Sequence, residues 1–417
     1  MREMKDSGIE WIGEIPCDWK LERSQWHLEE VNISNNPVQT NNVLSLTNKL
    51  GVVPYEEKGN QGNKSKENVY EYKLAYPNTI VANSMNILIG SVGLCDYFGC
   101  VSPVYYVFRA KKYNNIKFLN YVFQTVGFQR ELRKYANGIL EIRLRVSSSD
   151  ILKRFIPFPS EIEQQRIADF LDRACGKIDG LKADIQVQID TLEQYKRSVI
   201  TEVVTHGLNP SAPMKDSGIP WVGQFPTHWT KKKGKYILRY MSKTVKQDDG
   251  VITCFRDGEV TLRSNRREDG FTMADKEIGY QGVDVGDLVV HGMDGFAGAI
   301  GISDSRGKAS PVLNVLNTKQ NKKYIMYYLR SMAYGEVFTA LSTGIRVRSC
   351  DLRWNKLAEL LYPLPPIDEQ NNIVNYIDEQ IARTNEIIAD KKTQIETLDG
   401  YKKSLIYEYV TGKKEVM

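Results

Sequence analysis

Residue types that could do chemistry are present in this sequence, but none occurs at a spacing that defines a catalytic or metal site. The four histidines are His27, His206, His228 and His291. They are isolated, and no two have the spacing of metal ligands. A phosphate-binding loop needs a glycine directly before its lysine, whereas Asn63 precedes Lys64. No serine or cysteine lies in a nucleophile motif. We therefore predict no catalytic residue, no metal site and no cofactor in this chain.

Basic side chains form the other chemically distinctive groups. Lysine and arginine suit a phosphate backbone, and arginine also suits the paired acceptors on guanine's major-groove edge. A single basic cluster is more often a solvated surface. Two arginine pairs, however, follow Gly138 and Gly344 at matched places, and chance placement should not repeat. We predict DNA binding by Lys64, Lys66, Arg143, Arg145, Lys231, Lys232, Lys233, Lys235, Arg263, Arg266, Arg267, Arg346 and Arg348.

The elements that must position these clusters are repeated along the chain. Met4–Lys20 reads MKDSGIEWIGEIPCDWK and Met214–Thr230 reads MKDSGIPWVGQFPTHWT, with ten of 17 positions identical. A second repeat pairs Pro157–Thr205 with Pro363–Thr411, at an offset of 206 residues against 210 for the first. The stretches 21–156 and 231–362 between them resemble each other only in fragments. The sequence therefore predicts a tandem duplication with two matched frames and two divergent inserts.

Each second repeat predicts a long helix, the first from Glu161 to His206 and the second from about Ile367 to Thr411. Apolar residues at alternating steps of four and three indicate a coiled-coil seam. The seam residues are Ile167, Leu171, Ala174, Ile178, Leu181, Ile185, Leu192, Tyr195 and Val199, then Ile377, Ile381, Thr384, Ile388, Ile395, Leu398 and Leu405. Because the first helix enters the second insert and the second helix leaves it, we expect an antiparallel pair about 67 Å long. The alternative is that each helix packs separately on its own domain or on a partner.

Each insert is predicted to be an α+β domain. Short β-type runs come first, such as Thr79–Val81, Val104–Phe108 and Asp287–Val290, and helical stretches follow at about 116–135 and 323–341. The predicted fold is therefore α+β, with two globular domains separated by a pair of long antiparallel coiled-coil helices in a pseudo-twofold tandem duplication.

Composition excludes several classes of protein. Hydrophobic residues make up 41% and charged residues 26% of the 417 positions, which is typical of a soluble globular protein. No apolar run could cross a bilayer, and Met1–Asp18 contains no signal-peptide core. The six cysteines are scattered without zinc spacing, so we expect reduced thiols in a cytoplasm. The net charge of +5 permits a nucleic-acid partner without requiring one.

Over its whole length the chain resembles the specificity subunit of type I restriction–modification systems. The resemblance depends on a doubled Gly-Ile-x-Trp-x-Gly opening and on a doubled PxP…EQ element, at Pro157, Pro159, Glu163 and Gln164 and at Pro363, Pro365, Glu369 and Gln370. It implies two target-recognition domains, each of which reads half of a split sequence in double-stranded DNA. It also implies that this chain is not an enzyme. Two methyltransferase subunits would bind S-adenosylmethionine, and motor-nuclease subunits would bind ATP.

The same resemblance implies a division of the chain into six segments. They are an N-terminal repeat 1–20, a target-recognition domain 21–156, a spacer helix 157–207, a linker 208–230, a second target-recognition domain 231–362 and a C-terminal helix 363–417. The helices would set the distance between the readers and bind the methyltransferase. Partner contacts are expected at Glu163, Gln164, Tyr195, Glu369, Gln370 and Tyr401.

Two other functions stay open from the sequence. A stand-alone methyltransferase or nuclease is one, although a methyltransferase would need an Asn/Asp-Pro-Pro-aromatic motif to hold a flipped base. The nearest string, Asn35–Val38, has neither the second proline nor the aromatic residue. The other is a scaffold whose two heads bind proteins, for which DNA affinity would be absent or independent of salt.

Overall fold

The computed structural model describes residues 2–47, 51–58, 68–111, 114–138, 144–266, 278–341 and 352–416. The chain divides into two compact units: unit 1 is Met1–Ile185 with Lys392–Met417, and unit 2 is Gln186–Lys391. The division falls within both long helices, so each unit contains part of each helix. The six functional segments expected from the sequence stay a prediction.

In the described part of unit 1, short strands come first, three short helices and one further strand follow, and the first long helix comes last. The strands are β1 (Met4–Asp6), β2 (Glu14–Pro16), β3 (Lys20–Arg23), β4 (Leu28–Glu30), β5 (Leu44–Thr47), β6 (Gly51–Pro54), β7 (Lys73–Ala75), β8 (Thr79–Asn83), β9 (Val92–Cys95), β10 (Gly99–Val101), β11 (Tyr105–Ala110) and β12 (Phe155–Phe158). The helices are α1 (Ile116–Gln124), α2 (Val126–Arg133), α3 (Ser148–Leu152) and the long α4 (Glu161–His206), which continues into unit 2.

Unit 2 has the same elements in the same order. Its strands are β13 (Met214–Asp216), β14 (Gln224–Pro226), β15 (Thr230–Lys233), β16 (Leu238–Tyr240), β17 (Ile252–Cys254), β18 (Val260–Leu262), β19 (Gln281–Val283), β20 (Leu288–His291), β21 (Ile300–Ile302), β22 (Gly307–Ala309), β23 (Leu313–Thr318) and β24 (Leu361–Leu364). Its helices are α5 (Lys322–Tyr334), α6 (Val337–Ala340), α7 (Trp354–Glu359) and the long α8 (Ile367–Val410), which continues into unit 1. Short 3-10 helices also correspond: Ser24–Trp26, Tyr55–Lys58 and Ile87–Ile89 with Gly234–Tyr236, Arg263–Asn265 and Gly295–Ala297.

The divergent inserts share one sheet topology. An antiparallel four-stranded sheet has the order β4-β11-β8-β9 in unit 1 and β16-β23-β20-β21 in unit 2. In both units a strand of the frame then pairs with the strand before the long helix, β3 with β12 and β15 with β24. The predicted α+β fold and tandem duplication are confirmed, and the duplication extends through inserts whose sequences hardly match.

Each unit buries its repeated tryptophan in one main core. In unit 1, Trp19 and Phe128 are buried with Leu171 of α4 and Leu405 of α8. The core of unit 2 is assembled in the same way, with Trp229, Tyr324, Val203 and Ile373. The frame segment, the short helices of the insert and parts of both long helices therefore share one apolar interior in each unit.

The two long helices run antiparallel within each unit. In unit 1 the Lys182 ammonium pairs with the Asp399 carboxylate, and Lys402 Nζ lies 2.6 Å from Asp179 Oδ2. A step toward the C terminus of α4 therefore corresponds to a step toward the N terminus of α8. Unit 2 shows the same direction in two hydrogen bonds, Lys196–Asn385 and Lys391–Gln188. These contacts confirm the expected antiparallel pair.

The seam of α4 differs from the prediction after Ile178. Leu181 and Tyr195 are 53% and 47% exposed, whereas Ile189 is buried. Lys182 and Lys196 occupy the seam instead. Their long stems can be covered while the ammonium groups reach polar atoms of α8. In α8 the predicted seam is confirmed at its centre and end, where Ile388 and Leu405 are buried.

Candidate nucleic-acid interface

The glutamates of the two PxP…EQ elements hold the repeated tryptophans. Trp19 Nε1 donates a hydrogen bond to Glu163 Oε2 at 2.9 Å, and Trp229 Nε1 donates to Glu369 Oε1 at 3.1 Å. In unit 1, the Arg2 guanidinium also forms an ion pair with Glu163, at 2.5 Å. The two repeated motifs therefore bond to each other, and this explains why tryptophan and glutamate recur together.

The glutamines of the same elements are fully buried. Gln164 Nε2 donates to Pro159 O at 3.0 Å, and Gln370 Nε2 donates to Pro365 O at 2.9 Å. Burial removes both side chains from any surface that a partner could contact, so the expected partner role of Gln164 and Gln370 is corrected to a role inside the chain. The sequence showed that these residues recur, but recurrence alone does not separate an internal contact from an external one.

Two of the expected partner residues lie at equivalent exposed positions. Tyr195 on α4 and Tyr401 on α8 are 47% and 53% exposed. Leu181 and Ile387, also equivalent, are exposed on the same two helices. Exposed apolar groups repeated on both helices suit a partner that docks twice. Partner contact by the two tyrosines stays a prediction.

The lysine cluster at 231–235 lies along β15, beside β24. Lys233 and Lys235 both pair with Glu359, at 2.7 and 2.8 Å, and these hydrogen bonds lower the pKa of that carboxyl to about 2. Lys231 donates to the carbonyl of Ser217 at 2.5 Å, while Lys232 is exposed. Much of the charge of this cluster is therefore engaged within the chain.

Arginines of unit 2 line a cleft of about 640 Å³. Arg263 and Arg266 were expected to bind DNA, and the fold adds Arg256, which the sequence analysis missed. Arg256 lies in the turn between β17 and β18. The Asp257-Gly258 dipeptide is typical of a hairpin turn, and it could have predicted that Arg256 lies at the tip of a hairpin. The structure thus brings three arginines to one concave surface. The lysines of 231–235 do not line it.

Carboxylates orient the guanidinium groups in this cleft. Arg266 lies 2.6 Å from Asp257 and 2.9 Å from Glu259, and its guanidinium carbon is 4.3 Å from the centre of the Phe255 ring. Burial by itself would raise the pKa of Asp257, but the hydrogen bond and charge of Arg266 together with backbone hydrogen bonds outweigh it, so the pKa is lowered. Arg256 pairs with Asp294 at 3.0 Å. Because a guanidinium carries five N–H donors, such pairing fixes its plane and leaves donors for a phosphate or a guanine edge.

The other predicted DNA-binding residues lie elsewhere or outside the described part of the chain. Arg145 is exposed, and its backbone pairs with that of Asn137 at 2.8 and 2.9 Å. The predicted residues outside the described ranges are Lys64, Lys66, Arg143, Arg267, Arg346 and Arg348.

Two other features are absent from the described residues. Within those ranges, no group of three or more His, Cys, Asp or Glu residues could hold a metal ion. No helix in the same ranges is both long enough and apolar enough to cross a membrane.

Comparison with known proteins gives one family match. The family model described as "Type I restriction modification DNA specificity domain" matches residues 28–191. No curated protein matches the sequence.

Solved structures similar to this chain share little sequence with it. A chain from work titled "Structural basis underlying complex assembly and conformational transition of the type I R-M system" is 12% identical, with a TM-score of 0.67, and the match covers 96% of this chain and 99% of that one. The HsdS subunit from Thermoanaerobacter tengcongensis is 13% identical, with a TM-score of 0.48 and coverage of 96% and 98%. The type I S subunit from M. genitalium is 13% identical, with a TM-score of 0.36 and coverage of 94% and 96%. The first of these supports the fold over nearly the whole chain.

Proposed function

We propose that this chain is a type I restriction–modification specificity protein, and on that premise that it selects a split DNA sequence for partner enzymes. The single observation that supports this proposal is structural duplication. Unit 2 repeats every described element of unit 1, although the family model ends at residue 191. A second copy of a DNA specificity domain with a different sequence is suited to read a second, different half-site.

The chemistry is assigned to partner subunits. We propose that two methyltransferase subunits bring S-adenosylmethionine and modify adenines, and that motor-nuclease subunits bring ATP and cut DNA. The equivalent tyrosines Tyr195 and Tyr401 would then form two equivalent docking points, one for each methyltransferase. In this proposal the present chain contributes only binding and placement.

In unit 2, DNA contact is assigned to the arginine cleft. Arg256, Arg263 and Arg266 combine charge for phosphates with paired donors for guanine. Arg266→Ala should reduce the slope of log affinity against log salt by about 1 if it contacts a phosphate. Loss of affinity for guanine-containing sites only, with the slope unchanged, would instead assign it to a base. Arg239→Ala, an exposed arginine outside the cleft, is the matched control.

The proposed function is tested by expressing the full chain with its cognate methyltransferase and mapping modified adenines. We expect one split sequence with a fixed gap. Methyl transfer by the purified chain alone would show that it is an enzyme. Duplex DNA affinity that is absent, or independent of salt, in the complex would favour a protein scaffold.

The gap is proposed to follow the length of the long helices. One heptad inserted into each helix adds about 10 Å at the helical rise, or roughly three base pairs of DNA. The gap should lengthen by that amount while both half-sequences stay the same. A changed half-sequence with an unchanged gap would contradict this.

A further inference from the structure

A seven-residue pattern survives in the two divergent inserts. Asn115, Lys117 and Tyr121 in unit 1 correspond to Asn321, Lys323 and Tyr327 in unit 2, and all the positions between them differ. The offset is 206 residues, the same as between the PxP…EQ elements. The pattern opens α1 and α5, which were assigned to the inserts from the sequence.

In unit 1 the first residue of the pattern binds the start of the long helix. The Asn115 backbone N–H donates to Gln164 Oε1 at 3.0 Å, and its side-chain amide donates to Gln165 Oε1 at 2.7 Å. The Asn115 side-chain oxygen also caps α1, because it accepts from the N–H groups of Lys117 and Phe118. Asn115 thus caps the start of α1 and bonds that helix to α4.

The other two residues share one carboxylate about two turns further along α4. Lys117 Nζ and Tyr121 Oη each lie 2.7 Å from an oxygen of Asp172. The lysine is half-exposed, so its ion pair alone would contribute little. The tyrosine is buried, so loss of its acceptor would leave a hydroxyl in the core without a partner.

Unit 2 repeats this geometry. The Asn321 N–H donates to Gln370 Oε1 at 3.0 Å, and Lys323 Nζ and Tyr327 Oη lie 2.7 and 2.5 Å from the oxygens of Asp378. Two anchor points separated along a helix fix both its rotation and its position along its neighbour. An apolar core alone constrains these less, since apolar attraction has no direction.

We propose that this Asn-x-Lys-x-x-x-Tyr pattern, with Asp172 and Asp378 as acceptors, is the positioning element that sets how each recognition domain sits on its long helix and thereby keeps the gap in the target fixed. The inserts would diverge freely where they read bases and keep these residues where they dock. The assignment of the gap rests on the proposed function, whereas the docking of helix on helix does not.

The first experiment measures docking in the full chain without DNA or partners. Asp172→Asn should accelerate hydrogen exchange about tenfold in α1 and leave α5 unchanged, and Asp378→Asn should do the reverse. The expected factor is about ten because a hydrogen bond to a charged group stabilises by roughly the free energy that corresponds to a tenfold change in an equilibrium constant. Tyr121→Phe removes one hydroxyl and should act in the same direction. Asp184→Asn and Asp390→Asn are the controls, since these exposed aspartates occupy equivalent positions on the same helices. If an aspartate variant accelerated exchange equally in α1 and α5, or changed exchange in neither helix, the docking role would be overturned.

The second experiment measures positioning. With a methyltransferase partner, the wild-type chain should modify DNA at one gap length, and Asp172→Asn should also modify sites with neighbouring gaps while both half-sequences stay the same. A role in stability alone would lower modification at the normal gap and add no other. That result, or an altered half-sequence, would refute the positioning role. If the wild-type complex modifies no split site, the proposed function fails, and the exchange experiment still decides the docking role.

Discussion

Replacement of Gln370 by alanine should destabilise unit 2 selectively. The side chain is fully buried and makes three hydrogen bonds, to Pro365 O at 2.9 Å, to Gln320 Oε1 at 2.7 Å and from the Asn321 N–H at 3.0 Å. Alanine leaves the buried Pro365 carbonyl and the half-buried Asn321 N–H without this partner. At about 1–3 kcal/mol for each such group, the expected loss is about 2–6 kcal/mol.

A second substitution separates the hydrogen bonds from the cavity. Gln370→Met nearly preserves the volume but cannot donate a hydrogen bond, so most of the loss should remain. The matched variant in unit 1 is Gln164→Ala, whose side chain bonds to the Pro159 carbonyl and the Asn115 N–H, both at 3.0 Å. It should cost a similar amount, but in unit 1.

The assay is native-state hydrogen exchange resolved by segment, because a chain of two units need not unfold in one step. We expect each glutamine variant to reduce the opening free energy of its own unit. A loss below about 0.5 kcal/mol for Gln370→Ala would refute the reasoning, since a buried glutamine with three bonds should not be replaceable at that cost. If the variants bound a partner more weakly without any loss of stability, the hypothesis that these glutamines contact the partner directly would be supported after all.

Three further predictions concern the frame and one ion-pair network. Leu405→Ala should cost about 2–5 kcal/mol in unit 1, seen as faster exchange of its core helices, and unchanged exchange there would contradict the shared core. Trp229→Phe should cost about 1 kcal/mol in unit 2 through loss of the indole hydrogen bond, measured by urea unfolding against a control substitution on the surface. Hydrogen bonds from Lys243 and Arg306 lower the pKa of Asp284 to about 2. Its contribution to stability is therefore present above pH 4, is lost as pH falls toward 2, and should disappear in Asp284→Asn when urea midpoints are compared across that range.

The bounds of the long helices could be predicted because their signals are local. Proline residues precede Glu161, and a glycine follows each helix, in the left-handed conformation with φ of +81° at Gly207 and +71° at Gly412. A side chain at Gly207 would also come within 3.2 Å of the Trp229 ring. The helix ends thus follow from residue types that the sequence displays.

The seam of α4 could not be predicted from hydrophobicity alone. Lys182 and Lys196 occupy positions that an apolar pattern assigns to neighbouring residues, and only their contacts on α8 show why. The sequence of α8 indicates which positions of α4 lie on the seam. Its equivalent seam residue Ile388 corresponds to Lys182 at the offset of 206, so superposition of the two repeats would have corrected the seam.

The common sheet topology of the two inserts could not be predicted from the sequence either. A sheet depends on pairing between distant strands, and different apolar residues can fill the same pleated face. Likewise, Arg263 and Arg266 could be named as basic residues, but their meeting with Arg256 in one cleft depends on how the β17–β18 hairpin packs. Spacing along the chain shows which residues recur, and folding decides which of them meet.

The division of the two units has a consequence for synthesis on the ribosome. Unit 2 is one uninterrupted stretch, Gln186–Lys391, whereas unit 1 is completed only by Lys392–Met417. Domains usually fold in the order in which they are made. Here the first residues to emerge must wait, because Leu405 belongs to their core and Lys413 Nζ donates to the Ile12 carbonyl at 2.6 Å. A nascent chain that stops near its end would therefore lose the unit that was started first and keep the one made later.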